Sequence, residues 1–220
     1  MGGKVVHWVR HGEATHNPRA EALRAAGCTF DEFLEAMKRD DELDAPLTPR
    51  GQAQAAAAHT PARPPAVFVS PLSRAIDTAL AIFPGARLIA LDDLRERSGW
   101  LLNARRRRVA ELVEKFPACD FGELRTEEDE LWTEELESWE SCGARGRAAL
   151  QFVWERPEEE VAVVAHGGLF DAIFNRCSDI VAESELKPRF SNAEIRSTWV
   201  EQKEGVFHLR KLSGGREAAP

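Results

Sequence analysis

The chain has 220 residues, of which 43% are hydrophobic and 30% charged. At roughly 100–200 residues per domain this fits one domain, or two small ones at most, with a core that needs no disulfide or metal staple. Lys and Arg number 29 against 37 Asp and Glu, a net charge of −8, which argues against a general nucleic-acid binder and leaves room for a local basic pocket that takes a small anion. No uncharged apolar run approaches the ~20 residues of a membrane span, and the start, Met1-Gly2-Gly3-Lys4, lacks the apolar stretch of a signal peptide. Cys28, Cys119, Cys142 and Cys177 lie far apart with no C-x-x-C pair. They read as reduced thiols of a cytoplasmic protein, and the spacing argues against a zinc cage.

In chain order, strand and helix alternate. Lys4 to Arg10 is rich in β-formers and reads as a buried strand. Ala14 to Ala26 reads as helix, followed by a polar stretch to Ala45. Thr48 caps a further helix with Pro49 at its first position, continued by the alanines at 53 and 55–58. Ala66 to Val69 is a short apolar strand. Ser70-Pro71 repeats the cap signal, and Leu72, Ile76, Ala79, Leu80 and Phe83 recur at a helical period. Arg87 to Leu91 is a third strand. Asn103 to Phe116 reads as a helix, and so does the acidic segment Glu127 to Glu140 with its stripe of Trp132, Leu136 and Trp139. Ala144 to Trp154 is another helix. Val161 to Ala165 is wholly apolar, the mark of a strand buried on both faces. Gly167-Gly168 leads into a helix through Arg176. Glu194 to Glu201 and Val206 to Leu212 read as two edge strands, and Ser213 to Pro220 as a frayed tail.

No repeat or linker divides the chain. The alternation predicts a single three-layer α/β/α domain with a mostly parallel sheet, in which residues 91–145 form a helical cap or insertion over one end.

In such sheets ligands bind beyond the carboxyl ends of the strands. Three ends carry polar groups here: Arg10-His11-Gly12, then Ser70-Pro71 with Arg74 one turn on, then His166-Gly167-Gly168. Neighbouring strands would bring two histidines and two arginines to one crevice. Guanidinium groups match the oxygens of a phosphoryl group, and small residues at helix starts let backbone N–H groups approach the same oxygens. Gly12 and Gly167 are the candidates for that close approach. A neutral imidazole can attack phosphorus, and the second histidine, protonated, would stabilise charge on the equatorial oxygens. This chemistry calls for no metal and no cofactor. Taken singly, His11 would be a structural histidine and Arg10 a surface residue; the joint, ordered pattern argues for a site.

Arg10-His11-Gly12-Glu13-Ala14-Thr15-His16-Asn17 resembles the R-H-G-x-x-x-x-N signature of the histidine phosphatase superfamily, the phosphoglycerate mutase-like group. Leu47-Thr48-Pro49-Arg50-Gly51 is similar to its L-T-x-x-G segment, and Ser70 to Ala79 to its S-P-L-x-R-A-x-x-T-A segment. Leu94-Arg95-Glu96 resembles its L-x-E, and His166-Gly167-Gly168 its late H-G-G. The resemblance implies a phosphoglycerate mutase-like fold and a role for each matching residue. His11 is the nucleophile that becomes phosphohistidine. Arg10, Arg74 and His166 hold the phosphoryl oxygens, with Asn17 donating to one of them. Glu96 protonates the leaving oxygen and then activates water. Asp92 and Asp93 precede Glu96 on the same connection, and the choice among the three rests on the motif alone. Glu13 either contacts the site or caps the first helix.

Phosphatases and mutases of this family share the phosphohistidine. Cofactor-dependent mutases carry E-R-H-Y-G after the acid, where this chain reads Glu96-Arg97-Ser98-Gly99-Trp100 and contains no Tyr at all. Their G-W-x-D segment is also absent. Phe116-Pro117-Ala118-Cys119-Asp120-Phe121, followed by an acidic stretch and Leu131-Trp132, instead resembles the F-P-x-x-D-F region of phosphoglycerate mutase-like phosphatases of fungi and plants. The expected function is hydrolysis of a small phosphorylated metabolite, with a mutase and an idle phospho-ligand binder as alternatives. Neither nucleic acid nor membrane is an expected partner, and the tryptophan-rich segments are compatible with a homodimer. Arg105 to Arg108, placed by this reading in a helix's first turn where cations oppose the macrodipole, are either solvated charge or contacts to a second anionic group of the substrate.

Overall fold

The computed structural model describes residues 2–38, 42–60 and 62–212. The tail expected to fray, 213–220, lies outside them.

Among the described residues eight strands form one sheet in the order β4-β3-β2-β5-β1-β7-β8-β6. They are β1 (Lys4–Arg10), β2 (Ala66–Val69), β3 (Arg87–Ala90), β4 (Cys119–Asp120), β5 (Glu160–Ala165), β6 (Ile180–Ala182), β7 (Ile195–Lys203) and β8 (Val206–Lys211). Five of the seven pairings are parallel; β7 alone runs against its two neighbours. β5, the wholly apolar run, lies between β1 and β2, where both faces are covered. Successive side chains go to opposite faces. Val6, Trp8, Phe68 and Val163 point to one core and Val9, Val67, Val69 and Val164 to the other.

The seven helices among the described residues are α1 (Asn17–Ala25), α2 (Phe30–Met37), α3 (Pro49–Ala57), α4 (Ser73–Ile82), α5 (Val109–Lys115), α6 (Trp139–Trp154) and α7 (Gly167–Asn175). α6 and α7 cover the first core, where the Trp8 ring meets Phe170 and Phe174 edge-on at 5.8 and 5.3 Å. The Trp8 Nε1–H donates to Thr198 Oγ1 on β7 at 2.9 Å, so the buried indole keeps a partner. α4 and α5 cover the second core through Ile76, Ala79 and Leu112. Burial of each large apolar side chain stabilises the fold by about 1.5–3 kcal/mol.

Several boundaries differ from those expected. α2 occupies what reads as a polar stretch; Thr29 and Glu32 close a capping box ahead of Phe30, Phe33, Leu34 and Met37. α4 starts at Ser73, not after Ser70, because the carboxylate of Asp44 accepts from Ser73 N–H at 2.8 Å and Ser73 Oγ at 2.5 Å. Asn103–Phe116 is not one helix: a short 3-10 turn at Leu102–Ala104 precedes α5, whose N-cap is Arg108. The acidic segment Glu127–Glu140 is not helical before Trp139. The buried carboxylate of Asp129 accepts from the N–H groups of Leu131 and Trp132 at 3.2 and 3.1 Å, and from that of Arg106 at 2.9 Å. These bonds fold the segment into turns against residues 98–106. β7 and β8 are not edges, since β6 pairs with β8 outside them.

Candidate active site

The register sets the site. Arg10 on β1 is level with Ala165 on β5, and Val69 on β2 with Val164. His11, Ser70 and His166 therefore leave the sheet side by side. His11 N–H donates to Ala165 O, and Ser70 N–H to Val164 O, both at 3.0 Å. The His11 and His166 rings stand 4.9 Å apart, and both residues are buried.

His11 Nδ1 lies 2.6 Å from the Gly12 carbonyl. A carbonyl only accepts, so Nδ1 carries the proton and Nε2 keeps its lone pair. Gly12 is itself held: its N–H donates to Thr78 Oγ1 at 3.0 Å, and Thr78 Oγ1 donates to Arg74 O at 2.7 Å. The expectation that the Gly12 N–H faces a phosphoryl group is thus corrected, because Thr78 takes it. Gly12 is small for a different reason: a Cβ would lie 2.5 Å from Gly51 O on α3. Gly51 in turn fits against Glu13, whose carbonyl a Cβ would meet at 1.9 Å. Glu13 neither faces the site nor caps α1. Its carboxylate accepts from Thr48 Oγ1 at 2.8 Å and pairs with Arg50 at 3.3 Å, fastening this loop to α3.

Around His11 four side chains present buried donors with no hydrogen-bond partner among the described residues. They are Arg10 Nε, Arg74 Nε and Nη2, His16 Nδ1 and His166 Nδ1. Each has its other end fixed. Arg10 Nη1 donates to Phe190 O, and Arg74 Nη1 to Asn103 O, both at 2.7 Å. His166 Nε2 lies 2.7 Å from Ser70 Oγ, which also accepts from Leu72 N–H at 3.3 Å. Nε2 is the acceptor found for the serine proton among the described residues, and with the serine donating to it the imidazole proton sits on Nδ1. Asn17 accepts from Ala14 N–H at 2.8 Å through Oδ1, which orients its amide, and donates through Nδ2 to His16 Nε2 at 3.1 Å. The donor expected to meet a phosphoryl oxygen therefore orients His16, a third imidazole with its ring 6.2 Å from His11. Gly167 opens α7 beside Arg10, where a Cβ would lie 3.4 Å from Nε. Leaving a buried donor unpaired costs about 1–3 kcal/mol, so the set favours an anion.

The same cations act on the histidines. Burial, then Arg74 and Arg10, hold His11 well below the ordinary histidine range. Burial and Arg74 do the same to His166, and burial, Arg74 and Arg10 to His16. For His166 this direction disfavours the protonated form that the sequence reading invokes for charge stabilisation. Burial and the neighbouring Arg189 lower Arg10 to about 10.

Glu96 lies over the start of α7. Its Oε1 accepts from Leu169 N–H at 3.1 Å and Arg97 N–H at 2.9 Å, and a Cβ on Gly168 would lie 2.4 Å from that oxygen. Its charge is among those felt by Arg10 and Arg74. The rival carboxylates have other partners: Asp92 pairs with Arg106 at 3.2 Å, and Asp93 with Arg125 at 2.7 Å.

The four consecutive arginines meet protein groups. Arg105 stacks on Trp132, 5.1 Å from the ring centroid. Arg106 is buried, donating to the carbonyls of Thr126, Glu127 and Glu128 besides Asp92. Arg107 lies 3.5 Å from Asp44, and Arg108 2.9 Å from Glu128. None of the four lies within α5; Arg108 is its N-cap, and Glu127 and Glu128 offset its charge at the positive end of the helix dipole. Among the described residues no three His, Cys, Asp or Glu side chains converge to hold a metal ion, and no helix is long and apolar enough to cross a membrane.

Of the residues that build the candidate site, His16, Thr78 and Asn103 receive no role from the sequence, and Ser70 only that of a strand-end polar group and helix cap. His16, Ser70 and Thr78 stand within the quoted motifs, which gave the signal; Asn103 acts through its carbonyl, which no side-chain pattern reveals.

The chain is 30% identical over 237 residues to a phosphoglycerate mutase-like protein of Arabidopsis thaliana, a match covering 88% of this chain and 83% of the relative. A second Arabidopsis relative, phosphoglycerate mutase-like protein 1, is 28% identical over 88% of this chain and 80% of its own length. Among solved structures, a mycobacterial glucosyl-3-phosphoglycerate phosphatase superposes with a TM-score of 0.58 at 21% identity, covering 95% of this chain and 97% of that one. The ecdysone phosphate phosphatase of Bombix mori, in complex with tungstate, gives 0.57 at 16% identity, covering 98% of each chain. Residues 6–213 match the histidine phosphatase superfamily (branch 1), and the chain belongs to that family.

Proposed function

We propose that the chain is a metal-independent phosphomonoesterase working in two steps through His11. In the first, the Nε2 lone pair forms the N–P bond, the bond from phosphorus to the leaving oxygen breaks, and that oxygen takes the proton of Glu96. Arg10, Arg74, His16 and His166 donate to the phosphoryl oxygens as charge develops. In the second step water attacks phosphorus, the P–N bond breaks, and Glu96 takes a proton from the water. The products are an alcohol and inorganic phosphate. The observation that carries this reading is the bare Nε2 of His11 among five unpartnered buried donors. Both superposed structures are of phosphatases, which supports the same reaction class.

The substrate class is a small phosphomonoester, and the working compartment the cytoplasm. Phosphate release from a panel of 3-phosphoglycerate, sugar phosphates, nucleotides and 4-nitrophenyl phosphate, with EDTA present, tests the reading. Turnover that survives chelation and disappears in His11→Ala is expected. Isomerisation of 3-phosphoglycerate without phosphate release would identify a mutase instead, and phosphate binding without turnover an idle binder.

A further inference from the structure

The loop that carries Glu96 has little regular structure of its own, yet its carboxylate stands at a defined point over α7. Arg145 of α6 accounts for this. Its side chain is about one-tenth exposed. Nη1 donates to the carbonyls of Asp93 and Arg95 at 2.8 and 2.9 Å, and Nη2 to that of Glu96 at 3.3 Å. The remaining edge of the guanidinium meets Glu137 in a two-point pair, Nε to Oε1 at 3.0 Å and Nη2 to Oε2 at 2.7 Å. Glu137 completes the grip: Oε2 accepts from Ser98 N–H at 3.0 Å, its backbone N–H donates to Ser98 O at 2.9 Å, and its carbonyl accepts from Arg97 Nε at 2.7 Å. One ion pair thus binds backbone groups on both sides of Glu96.

We propose that Arg145, locked by Glu137, is a positioning residue for the proton transfer by Glu96, acting on the leaving group and not on the phosphoryl group. The role rests on the reading of Glu96 as the acid. A planar fork can serve three carbonyls and a carboxylate at once; a lysine ammonium cannot reproduce that geometry. Burial works against both charges, yet the mutual hydrogen bonds and charges leave Arg145 raised and Glu137 lowered, which favours the ionised pair. Among the described residues Arg145 makes no hydrogen bond to His11 or to the four side chains around it, and its charge, the smallest of the causes acting on His166, is kept in Arg145→Lys. Loosening it displaces the acid while leaving the phosphoryl cradle in place.

The experiment compares kcat/KM for 4-nitrophenyl phosphate, whose leaving group needs little protonation, with that for 4-methylphenyl phosphate, whose leaving group needs more. Unfolded protein lowers both equally, so their ratio reports only on the acid. Arg145→Lys and Glu137→Gln are expected to raise the ratio about tenfold or more, and Glu96→Gln further, within the range general acid catalysis supplies. Adding Arg145→Lys to Glu96→Gln leaves the ratio of the latter unchanged, because the two act as one unit. If Glu96→Gln shifts the ratio and neither Arg145→Lys nor Glu137→Gln does, the positioning role is wrong and the acid assignment stands. If Glu96→Gln leaves the ratio unchanged, the acid assignment falls and the positioning role with it. Should Arg145→Lys yield no soluble protein, Glu137→Gln decides alone.

Discussion

The carboxylate of Glu96 occupies the space that a side chain on Gly168 would take. Its Oε1 accepts from Leu169 N–H at 3.1 Å, and a Cβ at position 168 would lie 2.4 Å from it. The second glycine of His166-Gly167-Gly168 is thereby tied to the acid, while a Cβ at Gly167 would meet Arg10 only in ordinary contact, 3.4 Å from Nε.

Gly168→Ala accordingly separates activity from stability. Alanine is favoured over glycine in a helix by about 1 kcal/mol, and the atom it meets is the end of a flexible side chain. The expected outcome is a melting temperature held or raised, with kcat/KM lowered about 10- to 100-fold. Kinetics and thermal unfolding of the purified variant check this; full activity would contradict the placement of Glu96.

The three buried imidazoles make a pH prediction. His11, His16 and His166 are held below the ordinary range when folded and return to about 6.5 when the chain unfolds. The unfolded chain binds more protons just below that pH. Their contribution is complete above it and is lost as pH falls, by about 1.4 kcal/mol per pH unit for each ring. Asp44 works the other way, since burial raises its carboxyl to about 6, and it loses stabilising protonation as pH rises through that value. Over the first unit, between about pH 6.5 and 5.5, where the unfolded ring starts only half protonated, wild type should lose about 1 kcal/mol more than His16→Gln in denaturant titrations. Equal slopes would show that His16 titrates normally in the folded chain.

Of the arginine run, Arg106 and Arg108 are predicted to differ sharply. Arg106→Ala strands the buried carboxylate of Asp92 and the carbonyls of Thr126, Glu127 and Glu128, at a cost of about 3–5 kcal/mol. Arg108, more than half exposed against Glu127 and Glu128, is worth about 1 kcal/mol or less. Denaturant unfolding of the two alanine variants measures both; comparable losses would refute the buried role of Arg106.

The strands that frame the site were legible because β1, β2 and β5 are short apolar runs ending in polar residues. His11, Arg74, Glu96 and His166 follow from ordered motifs. Less legible was the direction of individual bonds. Gly12 and Asn17 sit at the site, but Thr78 and His16 claim their donors, and such competition depends on residues far apart in the chain. The acidic run at 127–140 has helical spacing, yet the side chain of Asp129 caps three backbone N–H groups and overrides it. α2 did leave a signal, the Thr29–Glu32 capping box, within a stretch whose charges masked its apolar face. β4 and β6, two and three residues long, are too short to show a period.

The central claim is that His11 carries the phosphoryl group between substrate and water. Mixing the protein with radiolabelled 4-nitrophenyl phosphate, quenching in alkali within the first turnover and locating the label by peptide mass spectrometry tests it most directly. The account predicts one alkali-stable, acid-labile phosphoryl group on His11, absent in His11→Ala. Release of nitrophenol and phosphate with no label on His11, or with label on another residue, would contradict it.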